Sequence, residues 1–281
     1  MRAANDRSAL SISGVASWAL AMLFLLMTLP AGAASPPAEA LEIPVSRPGE
    51  PVKVVASAMW SGIHVEAWDG ENVRVWTEAD EDRDEETVRK GGLRRIPNVS
   101  FGVTAEEENN EIHVRVDGQA SGELLLWVPR QASLDLKTVN GGEISVEGVH
   151  GELELTNTNG EIAARNVRGT VVAHTTNGDI EVELEEVDAG SPMSFSTLNG
   201  DVDVTLPASL KADLLIKSTH GDIYTDFEVE IQPRTARVEE ERVGGRYRVQ
   251  LEKNVRGRIN GGGPELQFRT FNGDVYLRKT G

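Results

Sequence analysis

The residues of this sequence that could do chemistry recur in a fixed pattern. Six segments place an Asn or His directly before a Gly, with a carboxylate and then Ile or Val close behind: Asn140-Gly141, Asn159-Gly160, Asn177-Gly178, Asn199-Gly200, His220-Gly221 and Asn272-Gly273. A Ser, Thr or Asn stands two positions before each of them. If these units stack in register at about 4.8 Å per step, their carboxylates form a row. Glu161, Asp179, Asp201 and Asp222 are then candidates for holding a hard divalent cation such as Ca²⁺, which takes oxygen ligands. The competing reading is that these side chains splay into water or accept hydrogen bonds from turn amides. Like charges ~5 Å apart repel by roughly 1 kcal/mol per pair in water, so the row needs one of these outlets.

Other chemistry finds little support. There is no Gly-x-Ser-x-Gly elbow, because Gly118 to Gly122 places Ser121 one position late. His-Glu-x-x-His, a Walker loop and Gly-x-Gly-x-x-Gly are all missing. The histidines His64, His113, His150, His174 and His220 show no ligand spacing, and His220 takes an Asn position of the repeat. Asp80, Asp82 and Asp84 resemble the start of a calcium loop. That reading fails at its sixth and twelfth positions, where Glu85 and Gly91 stand in place of Gly and Glu. Paired carboxylates for glycoside cleavage remain open only in the sense that any stacked acidic surface brings carboxylates together. The sequence therefore predicts no enzyme and no cofactor.

The elements that position these residues are strands. The intervals between successive Asn/His positions are 19, 18, 22, 21 and then 52. Four and six residues before each such position stand apolar residues, as in Leu136 and Leu134, Leu155 and Leu153, Ala173 and Val171, Phe195 and Met193. After each turn the alternation resumes, as in Ile162 and Ala164, Ile180 and Val182, Val202 and Val204, Val275 and Leu277. Period-two alternation on both sides of a turn means strands with one buried and one solvated face. A near-constant period favours stacking of equivalent strands over a meander of hairpins, since one rung alone cannot bury its inward residues. The Asn-Gly pairs are read as tight turns in which both residues tolerate positive φ. Second turns are expected at Val149-His150-Gly151, Val167-Arg168-Gly169 and Asp188-Ala189-Gly190. The 52-residue interval is read as at least one unmarked rung plus a hairpin.

The succession Leu126-Trp127-Val128-Pro129-Arg130, Leu134-Asp135-Leu136, the Asn-Gly-acidic repeats, Thr205-Leu206-Pro207 and Thr270-Phe271-Asn272-Gly273-Asp274-Val275 resembles the bacterial "putative adhesin" family of β-strand-repeat proteins, over about residues 50 to 281. The resemblance implies an exported all-β protein, a β-solenoid similar to a right-handed β-helix with about 20 residues per rung, and no established enzymatic activity.

Domain organisation follows. Arg2 and Arg7, the mostly apolar run from Val15 to Leu29, and Pro30-Ala31-Gly32-Ala33 read as a secretory signal peptide over 1–33. The run is short of the roughly 20 residues that span a bilayer. Residues 34–50 read as a Pro-rich tether. A single domain follows over 51–281, with an irregular first part at 51–130 and the repeats at 131–281. Within the first part, 78–95 holds seven acidic and five basic residues and reads as a surface loop that can carry a short helix.

Composition narrows the partners. The 281 residues hold 45 acidic against 28 basic side chains, a formal net charge of −17, and no cysteine. That balance repels nucleic acid phosphates, and the absent thiols exclude disulfides and thiolate metal sites. The expectation is a periplasmic or surface-exposed module that binds an envelope protein or glycan through its strand faces, with Phe271, Tyr224 and Tyr276 as contact candidates. The alternative is an envelope protein that assembles with itself through open solenoid ends.

Overall fold

The computed structural model describes residues 36–79, 89–90, 93–94, 102–117, 122–140, 142–188, 190–232, 238–243, 246–251 and 254–280. Ala33–Gly281 form one compact unit. The proposed leader lies outside the described residues, as do Asp80, Asp82, Asp84 and Gly141. Among the described residues every regular element is a strand, and no helix is long and apolar enough to cross a membrane.

The strands stack in two layers that share one core. On the first face Val52–Ala58, Ala132–Thr138, His150–Asn157, the second half of Ile162–His174, Met193–Ser196, Glu265–Asn272 and Ala212–His220 lie parallel in that order. On the second face the order is Ser61–Trp68, Ile144–Glu147, the first half of Ile162–His174, Ile180–Val187, Val202–Leu206, Val275–Lys279 and Ile223–Thr225. Glu111–Asp117 and Gly122–Pro129 add one more rung beyond Val52–Trp68. The β-solenoid-like stack therefore follows chain order only in its middle. The first part of the chain places Val52–Trp68 between the Glu111–Pro129 and Ala132–Glu147 rungs. At the far end, the last repeat of the sequence is inserted between the Met193–Leu206 and Ala212–Thr225 rungs.

Register explains the core. Leu134, Leu153 and Val171 are aligned, and so are Leu136, Leu155 and Ala173. On the second face Ile63, Ile144, Ile162, Ile180, Val202 and Val275 form one continuous column, each with no exposed surface. On the first face Phe195 and Phe268 stack at 5.2 Å. Burial of such side chains is worth about 1.5–3 kcal/mol each, which is the term that holds the rungs together.

Several expectations are corrected. Between Thr225 and Glu265 the 52-residue interval contains no parallel rung among its described residues. Val255–Ile259 runs antiparallel to Ala212–His220 and caps it, Val229–Ile231 pairs with that cap, and Val238–Val243 with Arg246–Leu251 make the hairpin. Residues 36–50 are more than a tether, because Leu41–Ile43 pairs antiparallel with Val73–Ala79 and buries Ile43. Val73–Ala79 itself runs antiparallel to Gly122–Pro129 and caps the second face, while Gly102–Glu108 caps the first. Within 78–95, Glu78 belongs to a strand, and Arg89–Lys90 pairs with Leu93–Arg94. At Val167-Arg168-Gly169 the chain bends without leaving the strand: Asn166 takes a φ of 54°, and Ile162–His174 serves both faces across that bulge.

Candidate functional site

The repeat turns form an edge built from three hydrogen-bonded columns. In the outermost, each Asn side chain donates to the one in the preceding rung: Asn159 to Asn140 at 2.7 Å, Asn177 to Asn159 at 2.8 Å, Asn199 to Asn177 and Asn272 to Asn199 at 2.7 Å. None of these asparagines has positive φ, whereas Gly160, Gly178, Gly200 and Gly273 lie at 149–156°. The turn therefore needs its two residues for different reasons. Gly supplies the backbone angle and room, because a Cβ on Gly178 would strike the carbonyl of Gly160, and one on Gly200 the carbonyl of Gly178. Asn supplies the ladder.

The Ser/Thr column lies inside. Thr175 donates to the Gly160 carbonyl, Thr197 to Gly178 and Thr270 to Gly200, each at 2.9 Å, and Ser218 donates to Gly273 at 3.1 Å. Asn157, where the repeat departs from Ser/Thr, does the same with its amide, reaching Gly142 at 2.7 Å. These groups satisfy carbonyls that would otherwise be buried unpaired.

The third column is the carboxylate row. Asp179 accepts the backbone N–H of Asp201 at 2.7 Å, Asp201 that of Asp274 at 2.7 Å, and Asp274 that of Asp222 at 2.8 Å. Asp201 and Asp222 are thus separated by Asp274, and the proposed calcium set Glu161, Asp179, Asp201 and Asp222 is not a run of neighbours. Among the described residues no group of three or more His, Asp or Glu converges to hold a metal ion. Tyr276 donates to Asp274 at 3.1 Å and stacks on Tyr224 at 5.1 Å, with the Arg278 guanidinium 5.3 Å from the Tyr276 ring centre. Nearby carboxylates hold both phenols above their ordinary pKa: for Tyr224 chiefly the charge of Asp222, for Tyr276 chiefly its hydrogen bond to Asp274.

Beside the Asn edge, on the first face, lies a groove of about 900 Å³. Its floor carries the outward residues three before each Asn/His position, His174, Ser196, Arg269 and Lys217, aligned across adjacent strands. Its wall carries the residues one before, Thr176, Leu198, Phe271 and Thr219. Leu198 and Phe271 are 46% and 43% exposed, and His220 meets Phe271 edge-on at 5.0 Å. Among the described residues no carboxylate lines the groove. Of the expected contact residues, Phe271 falls in this groove, while Tyr224 and Tyr276 lie on the other face with the carboxylates. The floor residues were missed by reading turns alone. They are visible when the repeats are aligned: the column three before the Asn/His reads Lys137, Thr156, His174, Ser196, Lys217 and Arg269, without an acid.

Comparison with known proteins adds the following. Residues 130–254 match the family described as Toastrack DUF4097. No curated protein matches the chain. Two solved structures are matched at low similarity. One, described as a "putative cell adhesion protein" from Clostridium sporogenes ATCC 15579, is 10% identical, with 86% of this chain and 100% of that one covered at a TM-score of 0.45. The other, a "putative adhesin" from Bacteroides fragilis NCTC 9343, is 8% identical, with 86% and 96% covered at a TM-score of 0.33. At family level, then, residues 130–254 are similar to the Toastrack domain, a domain of unknown function.

Proposed function

We propose that this chain is an exported, non-enzymatic, adhesin-like binding module that holds an extended ligand in the groove beside the Asn ladder. The observation that carries this reading is the groove itself. It runs across four adjacent strands, and it combines exposed apolar side chains with hydroxyls on a backbone fixed by three columns of hydrogen bonds. Rigid, partly apolar surfaces with a few placed polar groups are what recognition needs. Asp179, Asp201 and Asp274, carboxylates that could serve catalysis or metal binding, accept backbone amides instead, and this supports binding over chemistry. Periplasmic or surface location rests on the basic–apolar–small order of residues 1–33, and the right-handed coil on the family resemblance.

Self-assembly through solenoid ends is the less favoured reading. Antiparallel strands lie over the first-face strands at both ends of the stack, Gly102–Glu108 at one and Val255–Ile259 at the other. The test is retention of the chain, without residues 1–33, on an array of immobilised polysaccharides. The reading expects retention that Leu198→Ala with Phe271→Ala abolishes while the unfolding midpoint stays constant. Retention unaffected by that pair, or release of reducing ends from the array, overturns it.

A further inference from the structure

The wall of the groove continues beyond it as an uncharged ribbon along the whole turn edge. The backbone N–H of Asn140 donates to Met59 as that of Asn159 does to Val139 and that of Asn272 to Leu198. Met59 and Trp60 therefore stand where later rungs place the residue before the Asn and the Asn itself. These two columns run in register from Met59-Trp60 to Thr219-His220, over seven rungs or six steps of about 4.8 Å, ~29 Å in all. In the first column Met59, Val139, Leu198 and Phe271 are exposed, and threonines take the other three places. In the second, the exposed Trp60 precedes the Asn ladder and His220 follows it. None of these residues is Asp, Glu, Lys or Arg, in a chain where 26% of residues are. Charge begins on either side of the ribbon, with the carboxylates after the turn glycines and with Lys137 and Arg269 in the column three before the Asn.

We infer that this ribbon binds a neutral, linear polysaccharide laid lengthwise across all seven rungs. This rests on the groove reading above, adds the ligand class and extends the site to Trp60. The turn backbone is spent between rungs, as in the Asn177 N–H to Thr158 and the Gly178 N–H to Asn199, so an extended peptide finds no strand edge to join. Recognition falls to side chains. Asn159, Asn177 and Asn199 each use one N–H and one lone pair in the ladder, and an amide has a second of both. Uncharged groups that donate and accept at once match sugar hydroxyls, which do the same. Trp60 and Phe271, near opposite ends of the ribbon, offer aromatic faces to the C–H faces of sugar rings. A second copy of the chain fits less well. A ribbon two residues wide, at ~3.3 Å each, and ~29 Å long presents ~200 Å², against the ~800 Å² that each partner buries in a stable interface.

The test is calorimetric titration of the chain without residues 1–33 with cellohexaose, N-acetylchitohexaose and maltohexaose, against their disaccharides, oligogalacturonate and polyglutamate. The expected result is binding to at least one neutral hexasaccharide, at least tenfold tighter than to its disaccharide and indifferent to salt. Trp60→Ala and Thr158→Lys, both outside the groove, each weaken it at least tenfold at an unchanged unfolding midpoint. Should Trp60→Ala lower that midpoint, Met59→Gln takes its place. Binding that Leu198→Ala with Phe271→Ala removes, but Trp60→Ala and Thr158→Lys do not, overturns the ribbon and keeps the groove. Preference for oligogalacturonate, lost at high salt, overturns the neutral class and keeps the groove. Preference for polyglutamate overturns the polysaccharide, and binding by none of the probes overturns ribbon and groove together.

Discussion

Asn177 and Gly178 are neighbours in the chain, yet each is fixed by a different contact with the rung beside it. Asn177 sits mid-ladder with two side-chain amide bonds, whereas Asn140, at the end, has one. Replacing each by Ala is expected to cost on the order of 2 and 1 kcal/mol respectively, measured by urea unfolding; equal losses would mean that the ladder adds nothing beyond turn propensity. Gly178→Ala meets both a positive φ and the Gly160 carbonyl, while Gly142→Ala meets a φ of 100° with open space around it. The first is expected to cost about 3 kcal/mol and the second about 1. The identity of these residues was legible in the sequence, but the reason for Asn was not. Turn chemistry alone suggests positive φ at both positions, and only the neighbouring rung reveals that Asn is there to hydrogen-bond. His64 gives a pH signature at this scale. Its Nε2 lies 2.8 Å from Glu123, and that hydrogen bond, opposed by burial, raises its pKa above 6.5. A raised folded-state pKa stabilises fully below pH 6.5 and fades as pH climbs through the folded value. With 36% of the side chain exposed, solvent keeps the effect small. His64→Gln should flatten the melting temperature against pH above 6.5, and an unchanged slope would assign that slope to other groups.

At the scale of elements, the rungs were legible and the caps were not. Inward alternation is the same in a parallel rung and an antiparallel cap: Ile112 and Val114 belong to a rung, Val73 and Val75 to a cap, and both pairs are buried. What separates them is turn geometry. Asn109 and Asn110 take φ of 58° and 70°, the signature of a tight hairpin, and this Asn-Asn pair was the available signal that Gly102–Glu108 folds back antiparallel. That strand pairs on one side only among the described residues, and it ends in Glu106-Glu107-Glu108. Carboxylates on an edge strand discourage a second copy from pairing there. The double substitution Glu106→Thr with Glu108→Thr is therefore expected to make scattered light rise with concentration, while the native chain stays at constant size. A native chain that itself grows with concentration would return self-assembly to the leading position.

For the whole molecule, the order of the rungs is the property that periodic sequence hides. Every rung offers nearly the same inward residues, so the pattern says which side chains are buried but not which rung is the neighbour. Asn199 meets Asn272 although 73 residues separate them, because the last repeat slides between rungs that are consecutive in the chain. Phe268 completes the stack on Phe195 only from that position, and Asp274 links Asp201 to Asp222 only from there. Pairings of such long separation close slowly, since loop entropy is lost before contacts compensate for it. The C-terminal half is thus expected to finish folding only when residues 265–281 are present. Deleting 265–281 should leave Phe195 without its partner, raise the fluorescence of a hydrophobic dye, and split urea unfolding into a retained N-terminal transition and an early C-terminal one. If the shortened chain instead unfolds in a single step at the native midpoint, the rungs at Met193–Leu206 and Ala212–Thr225 pair directly, and the inserted rung is an addition to a stack already complete without it.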